Sequence, residues 1–352
     1  MNAVMIPEPP TVRPPAGVFR SGQRLDLFTG LGLLLILLAL ALYALTVGSY
    51  SLSVSQAWQA LFRPAQSSAS ILNVVWELRL PRILLAMTAG AAMALAGLLL
   101  QSLTRNPLAA PGLVGVESGA SVTMLLILVV WPDLLPLSLY PLAALAGGLA
   151  VAVFVVGLSW RRGISPLRLI LVGVGLTAML SAVADLLITY GNIDRVESAL
   201  MWLGGSLHRA DWAHVYSMGL WLLLAGVPLL FCHRPLNLLQ LGEAVALSRG
   251  LNVPALVGGL LLCSVTLTAA AVANVGTMTF VGLIAPHLAR QLCGDRHGAL
   301  IPFSAMAGAL LVMLGDTLGR GLFAPLQLPA GLVVAIIGAP YLILLLARQR
   351  NR

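Results

Sequence analysis

Apolar runs of about twenty residues recur along the chain, separated by short polar or Pro/Gly-rich breaks. A helix needs roughly 20 apolar residues to cross hydrocarbon. On that measure ten spans are predicted, at about 28–48, 83–104, 114–131, 139–158, 167–189, 212–231, 254–274, 276–292, 300–315 and 329–347. Only the Val275-Gly276 junction divides the seventh from the eighth, and the ninth is short enough to call for tilt or extended ends. Residues 1–27, which include PEPPTVRPPAG, read as a disordered Pro-rich cytoplasmic tail. The first apolar run is too long and too late for a signal-peptide core and reads as a retained span. Residues 28–348 are then one all-α integral membrane domain, with 349–352 as a basic C-terminal tail.

Composition supports this pattern. Of 352 residues, 59% are hydrophobic and 9% charged, whereas soluble domains carry about 25% charged residues. The net charge of +8 is spread between the apolar runs, which suits membrane orientation and not a nucleic-acid partner. All twenty basic residues are arginine. Without a lysine the chain has no Walker A loop and no Schiff-base chemistry, so energy from ATP has to arrive through a partner. Ten spans with both termini cytoplasmic place 14 of the 20 arginines inside. The six outside are Arg63, Arg79, Arg82, Arg195, Arg209 and Arg320, and this bias has the sign of the positive-inside rule.

Reactive chemistry is sparse. Cys232, Cys263 and Cys293 are far apart and lack CxxC spacing, which suits small apolar fillers better than a disulfide framework or a zinc site. His287, Cys293, Asp295 and His297 lie near one another in sequence, but their spacing matches no metal pattern, and a hydrogen-bonded histidine in a polar loop is expected there instead. Asp185 is the clear intramembrane carboxylate. An ion-coupled transporter usually displays several such groups along its path, so one suits a hydrogen-bonded or snorkelling residue.

Three stretches stand out. Arg79 and Arg82 bracket Pro81 where the second span begins, and proline starts helices well. In QSLTRNPLAAPGLVGVESGA (101–120), Pro107, Pro111 and Gly112 break the chain at the cytoplasmic edge, and Asn106 is placed to cap freed backbone groups. The longest cytoplasmic connection, 233–253, mixes leucines with polar residues. Gly242 and Gly250 sit where short helices would start or stop, which predicts two short amphipathic helices. One Glu and one Arg in its core favour docking into a protein groove over lying on a membrane.

With RLPR at 79–82, WLGGSL at 202–207, LGEAVALSRGL at 241–251, GTMTFVGLIAPHLAR at 276–290, GDTLGR at 315–320 and LPAGLVVAIIGAPYLILLL at 328–346, the chain resembles the permeases of iron-siderophore and vitamin B12 ABC importers, the large ten-helix type. The likeness covers about Leu27 to Leu346. It implies a multi-pass subunit of the bacterial inner membrane with no catalytic residue and no bound cofactor. The implied partners are a second permease chain, identical or homologous, and two cytoplasmic ATP-binding subunits that use ATP and Mg. A periplasmic or lipid-anchored binding protein would deliver substrate, and membrane lipids would surround the bundle.

The same resemblance implies residue roles. Leu241, Gly242, Glu243, Leu247, Ser248, Arg249, Gly250 and Leu251 would form the segment coupled to the ATPase, with the family's usual arginine replaced by Leu247. Arg79, Arg82 and Arg320 would stand exposed outside and dock the binding protein. Asn106 and Pro107 would belong to the cytoplasmic gate, and Gln327 stands where the family commonly has Glu. The expected cargo is a ferric siderophore. Vitamin B12 or haem is the alternative within the family, and ion-coupled secondary transport is the alternative outside it.

Overall fold

The long apolar runs fold as helices because a backbone in hydrocarbon must satisfy its own hydrogen bonds. The structure, a computed structural model, describes residues 18–48, 50–132, 134–160, 166–322 and 326–349. Helix α1 (Val18–Ala44) leads to α2 (Val54–Phe62) and α3 (Ala69–Asn73), and a π-helical turn at Val74–Arg79 then runs into α4 (Leu80–Thr104). Next come α5 (Val116–Leu125, prolonged by a π-helical turn to Val130), α6 (Tyr140–Ser159), α7 (Pro166–Tyr190) and α8 (Ile193–Leu203). Helix α9 (Trp212–Trp221) continues irregularly to Phe231 and is followed by the short α10 (His233–Gln240) and α11 (Glu243–Ser248). The chain ends with α12 (Val253–Val275), α13 (Val281–Cys293), α14 (His297–Gly321) and α15 (Ala330–Gln349).

All ten expected spans are helical, and among the described residues seven helices are long and apolar enough to cross a membrane by themselves. The boundaries differ in places. The helix that carries the first span begins at Val18, so the expected tail of 1–27 is corrected at its C-terminal end. After Pro15 nothing in VFRSGQRLDLF stops a helix from extending back from the apolar run. Residues 1–17 and 350–352 lie outside the described residues. The eighth span starts at Val281, five residues later than expected. Gly276 at φ 76° and Phe280 at φ 73°, the latter left-handed, bend the intervening chain away from the helix. The ninth is longer than expected, spanning 25 residues.

Helix α4 runs through the middle of the bundle, and 83% of its most apolar window is buried, against 11% for α7. Small residues make this possible. A Cβ on Gly97 would lie 1.7 Å from the Gly282 carbonyl oxygen, and one on Gly90 would lie 2.3 Å from that of Gly308. Backbones of α4, α13 and α14 therefore meet where only glycine fits. Helix α4 thereby joins the two ends of the bundle through one buried element.

Candidate functional site

At the end of the bundle where α1 finishes and α4 begins, three charged side chains share one network, with Arg79 bonded to backbone carbonyls nearby. Asp316, on α14, is 2% exposed. Arg82 Nη2 lies 2.8 Å from its Oδ1, and Arg82 Nε donates to the same carboxylate at 2.9 Å. Arg320, one turn along α14, pairs with Asp316 Oδ2 at 3.5 Å and donates to the Ala44 carbonyl at 2.6 Å. Arg79 donates to the carbonyls of Leu45 and Tyr50, just past the end of α1. Arg82 also donates to Gln327 Oε1 at 2.8 Å, and that oxygen lies 3.1 Å from the His208 ring. The amide oxygen of Gln327 thus accepts the bond a carboxylate would accept there.

This corrects one expectation. Arg79 and Arg320 are each 5% exposed and do not form an exposed patch with Arg82. Their guanidinium groups close off backbone carbonyls left open where α1 ends, a need that sequence spacing cannot display. Asp316 was missed, although its place one turn before Arg320 is an ion-pair spacing readable in the sequence.

The opposite end is built around α10. His297, fully buried at the start of α14, is held by Asn237 of α10 and Ser102 of α4. Its Nδ1 lies 2.9 Å from Asn237 Oδ1 and its Nε2 lies 2.9 Å from Ser102 Oγ. With the amide oxygen as acceptor, Nδ1 carries the proton and Nε2 accepts from the serine hydroxyl. Arg105, at φ 51°, turns the chain out of α4 and donates to the Leu239 carbonyl at 3.3 Å. Asn106 accepts from the Leu108 amide at 2.9 Å, which closes the turn around Pro107. Both residues shape a corner between α4 and α5 that touches α10.

The connection 233–253 contains the two short helices expected of it. Gly242 at φ 117° and Gly250 at φ 78° set the bends on either side of α11, where a side chain would be strained. Ala246 is buried with Leu239 and Val253, which anchors α11 against the bundle. Leu241, Glu243, Leu247, Ser248 and Arg249 are exposed, and Leu251 is half-buried. Leu247 therefore stands on a surface that is free within this chain.

His287, Cys293 and Asp295 have local partners. His287 shares a hydrogen bond with Gln291 and stands edge-on to Tyr341, Cys293 Sγ donates to the Ala289 carbonyl, and Asp295 pairs with Arg290. Asp185 is exposed on α7, where its backbone carbonyl accepts from Thr189.

Residues 34–348 match the family model described as the FecCD transport family. The chain belongs to the FecCD transport family. It is 40% identical over 318 residues to the achromobactin transport system permease of Dickeya dadantii, covering 90% of each chain. It is 42% identical over 294 residues to the Fe(3+) dicitrate transport system permease of Escherichia coli, covering 83% of this chain and 91% of the relative. With the hemin transport system permease of Yersinia pestis it shares 38% identity, over 92% and 96% of the two chains. A solved inward-facing metal-chelate type ABC transporter superposes with a TM-score of 0.78 at 32% identity, covering 92% of this chain and 99% of that one. A FecCD-family chain of this architecture is a multi-pass ABC permease, and the charged network and the α10–α11 segment occupy its opposite ends.

Proposed function

We propose that the chain is the membrane-spanning half of an ATP-driven, binding-protein-dependent importer that carries a ferric siderophore across the bacterial inner membrane. The cargo class rests on relatives whose names specify achromobactin, Fe(3+) dicitrate and hydroxamate transport. The single observation that carries the mechanism is the α4–α14 pair. It is joined at one end by Arg82–Asp316, in the middle by the Gly90–Gly308 approach and at the other end by Ser102–His297–Asn237.

An ATP-binding subunit docked on exposed Leu241, Glu243, Leu247 and Arg249 would push on α10 and α11. Asn237 and the Leu239 carbonyl hand that push to α14 and α4, which move as one body because they are bonded at both ends and packed closely between. Two such halves, one from each permease chain, would then alternate between inward- and outward-open states. The protein contributes shape and transmission, and the chemistry of hydrolysis stays in its partner. Gln327 and Arg82 belong to the rim on which a binding protein would sit, Arg82 held by Asp316 and Gln327 by Arg82 and His208.

Uptake tests the cargo. Proteoliposomes with the partner ATPase, the second permease and the binding protein should accumulate iron presented as a siderophore chelate. Competition by haem or cobalamin with no competition by ferric chelates would move the assignment to the other branches of the family.

A further inference from the structure

Helix α2 (Val54–Phe62) lies in the connection between the first two spans and has three distinct faces. Ala57 and Ala60 are buried against the bundle. Ser55, Gln59 and Arg63 form an exposed polar side. Between them Val54, Trp58 and Phe62, spaced one turn apart, are 72%, 53% and 62% exposed. A short soluble helix gains nothing from leaving three large apolar groups in water beside a polar face, and a capping box at Ser53 and Gln56 fixes where this helix begins.

Hydrogen bonds set the level of α2. Trp76, on the first turns of the Ala69–Thr104 span, donates its indole N–H to the Ala60 carbonyl at 3.0 Å. Trp212, which opens the Trp212–Phe231 span, donates its own to the Trp76 carbonyl at 3.0 Å. Two membrane-crossing helices thus begin at the height of the α2 C-terminus. Tyr216, beside Trp212 with ring centroids 5.9 Å apart, starts the exposed stripe that continues down that span through Leu220 and Leu224. Tryptophan and tyrosine gather at such water–lipid boundaries because their rings are apolar and their N–H or O–H groups are polar.

We infer that α2 is an interfacial helix whose Val54–Trp58–Phe62 face enters the headgroup and upper acyl region of the phospholipid leaflet at this end of the bundle. Continuity with the lipid-facing stripe of the Trp212–Phe231 span favours lipid over a protein occupant. The face also carries no carboxylate or amide to specify a protein partner. The Trp58 and Phe62 rings, 4.3 Å apart, fill one patch of the leaflet, while Ser55, Gln59 and Arg63 stay in water.

Spin labels placed singly by V54C, S55C, W58C, Q59C and F62C, in a full chain carrying C232S, C263A and C293S, would report the solvent at each position in phospholipid vesicles. Labels at 54, 58 and 62 should collide more often with dissolved oxygen than with an aqueous nickel chelate, and labels at 55 and 59 the reverse. Preferential nickel collisions at 54, 58 and 62 would overturn the inference. So would nickel access at those sites that disappears only when the binding protein is added, which would make the face a protein contact. A second measurement needs no cysteine substitution. Phosphatidylcholine brominated near the headgroup should quench the native chain more than W58F, and equal quenching would also overturn the inference.

Discussion

Removing Asp316 should cost more than removing any other single carboxylate in the molecule. Its side chain is 3% exposed, and so are Arg320 at 5% and Arg82 at 11%, so all three charges have lost most of their water. At the observed 2.8 Å and 3.5 Å, an effective dielectric near 20 gives attractions of about 6 and about 5 kcal/mol. These offset the desolvation of the three groups and the mutual repulsion of the two cations. Asp316→Ala deletes both attractions and leaves two guanidinium groups desolvated. Breaking a buried ion pair in this way costs about 3–5 kcal/mol. Arg82 retains Gln327 Oε1, and Arg320 retains the Ala44 carbonyl, which keeps the loss near the lower end. Adding Arg320→Met removes one stranded charge, so D316A/R320M should be more stable than the sum of its two single changes. Reversible unfolding of the purified chain in mixed micelles, followed by helical circular dichroism, reads both quantities. A D316A loss below about 1 kcal/mol, where exposed ion pairs lie, or strict additivity in the double variant, would refute a buried network. The same reasoning predicts that R320E unfolds the protein by placing a second carboxylate beside Asp316. A weakened contact with an otherwise intact permease would contradict it.

Other perturbations probe separate parts of the molecule. Gly97→Ala sets a methyl 1.7 Å from a carbonyl oxygen on α13. It should destabilise the fold by at least the about 1–3 kcal/mol typical of overpacking, while Gly219→Ala, with open space around it, should change far less in the same unfolding assay. His297→Ala strands the Ser102 hydroxyl, a loss of about 1–3 kcal/mol for a buried group left unpaired, leaves Asn237 Oδ1 with only the backbone N–H of residue 297, and should raise ATP hydrolysed per chelate imported by loosening α10. Gly242→Ala and Gly250→Ala meet no neighbouring atoms but force a side chain into positive φ. They should lower uptake with the bundle intact, and unchanged uptake would remove this segment from coupling. The Asp211 carboxyl caps α9. Partial desolvation raises its pKa, but hydrogen bonds and charge from His214, with the Ala213 amide, outweigh that and hold it below the usual carboxylate range. The cap is therefore fully present above about pH 4 and is lost as pH falls through the lowered folded value. D211N should flatten that acid limb of the unfolding curve.

The spans were legible because each must present an apolar surface over its whole length, and that requirement is written residue by residue. The interior of α10–α11 was legible too, since Gly242 and Gly250 mark positions that only glycine tolerates cheaply. The arginines were not. A sequence shows where Arg82 stands at the head of a span, but its counter-ion lies 234 residues away, and only the fold brings Asp316 to it. Arg79 was misread for a related reason: its partners are backbone carbonyls at the end of α1, which no side-chain pattern announces. Helix α2 had a readable start in the Ser53–Gln56 capping box, but nine residues are too few to register against spans of twenty.

As proposed, this chain is a passive, transmitting half of a machine powered by a partner. Proteoliposomes holding the permease pair, binding protein and ferric siderophore should import iron only when the ATPase and Mg-ATP are both present, and should continue when ion gradients are collapsed. Import that persists without the ATPase and stops with the gradient would rule out the ATP-driven importer and turn attention to Asp185.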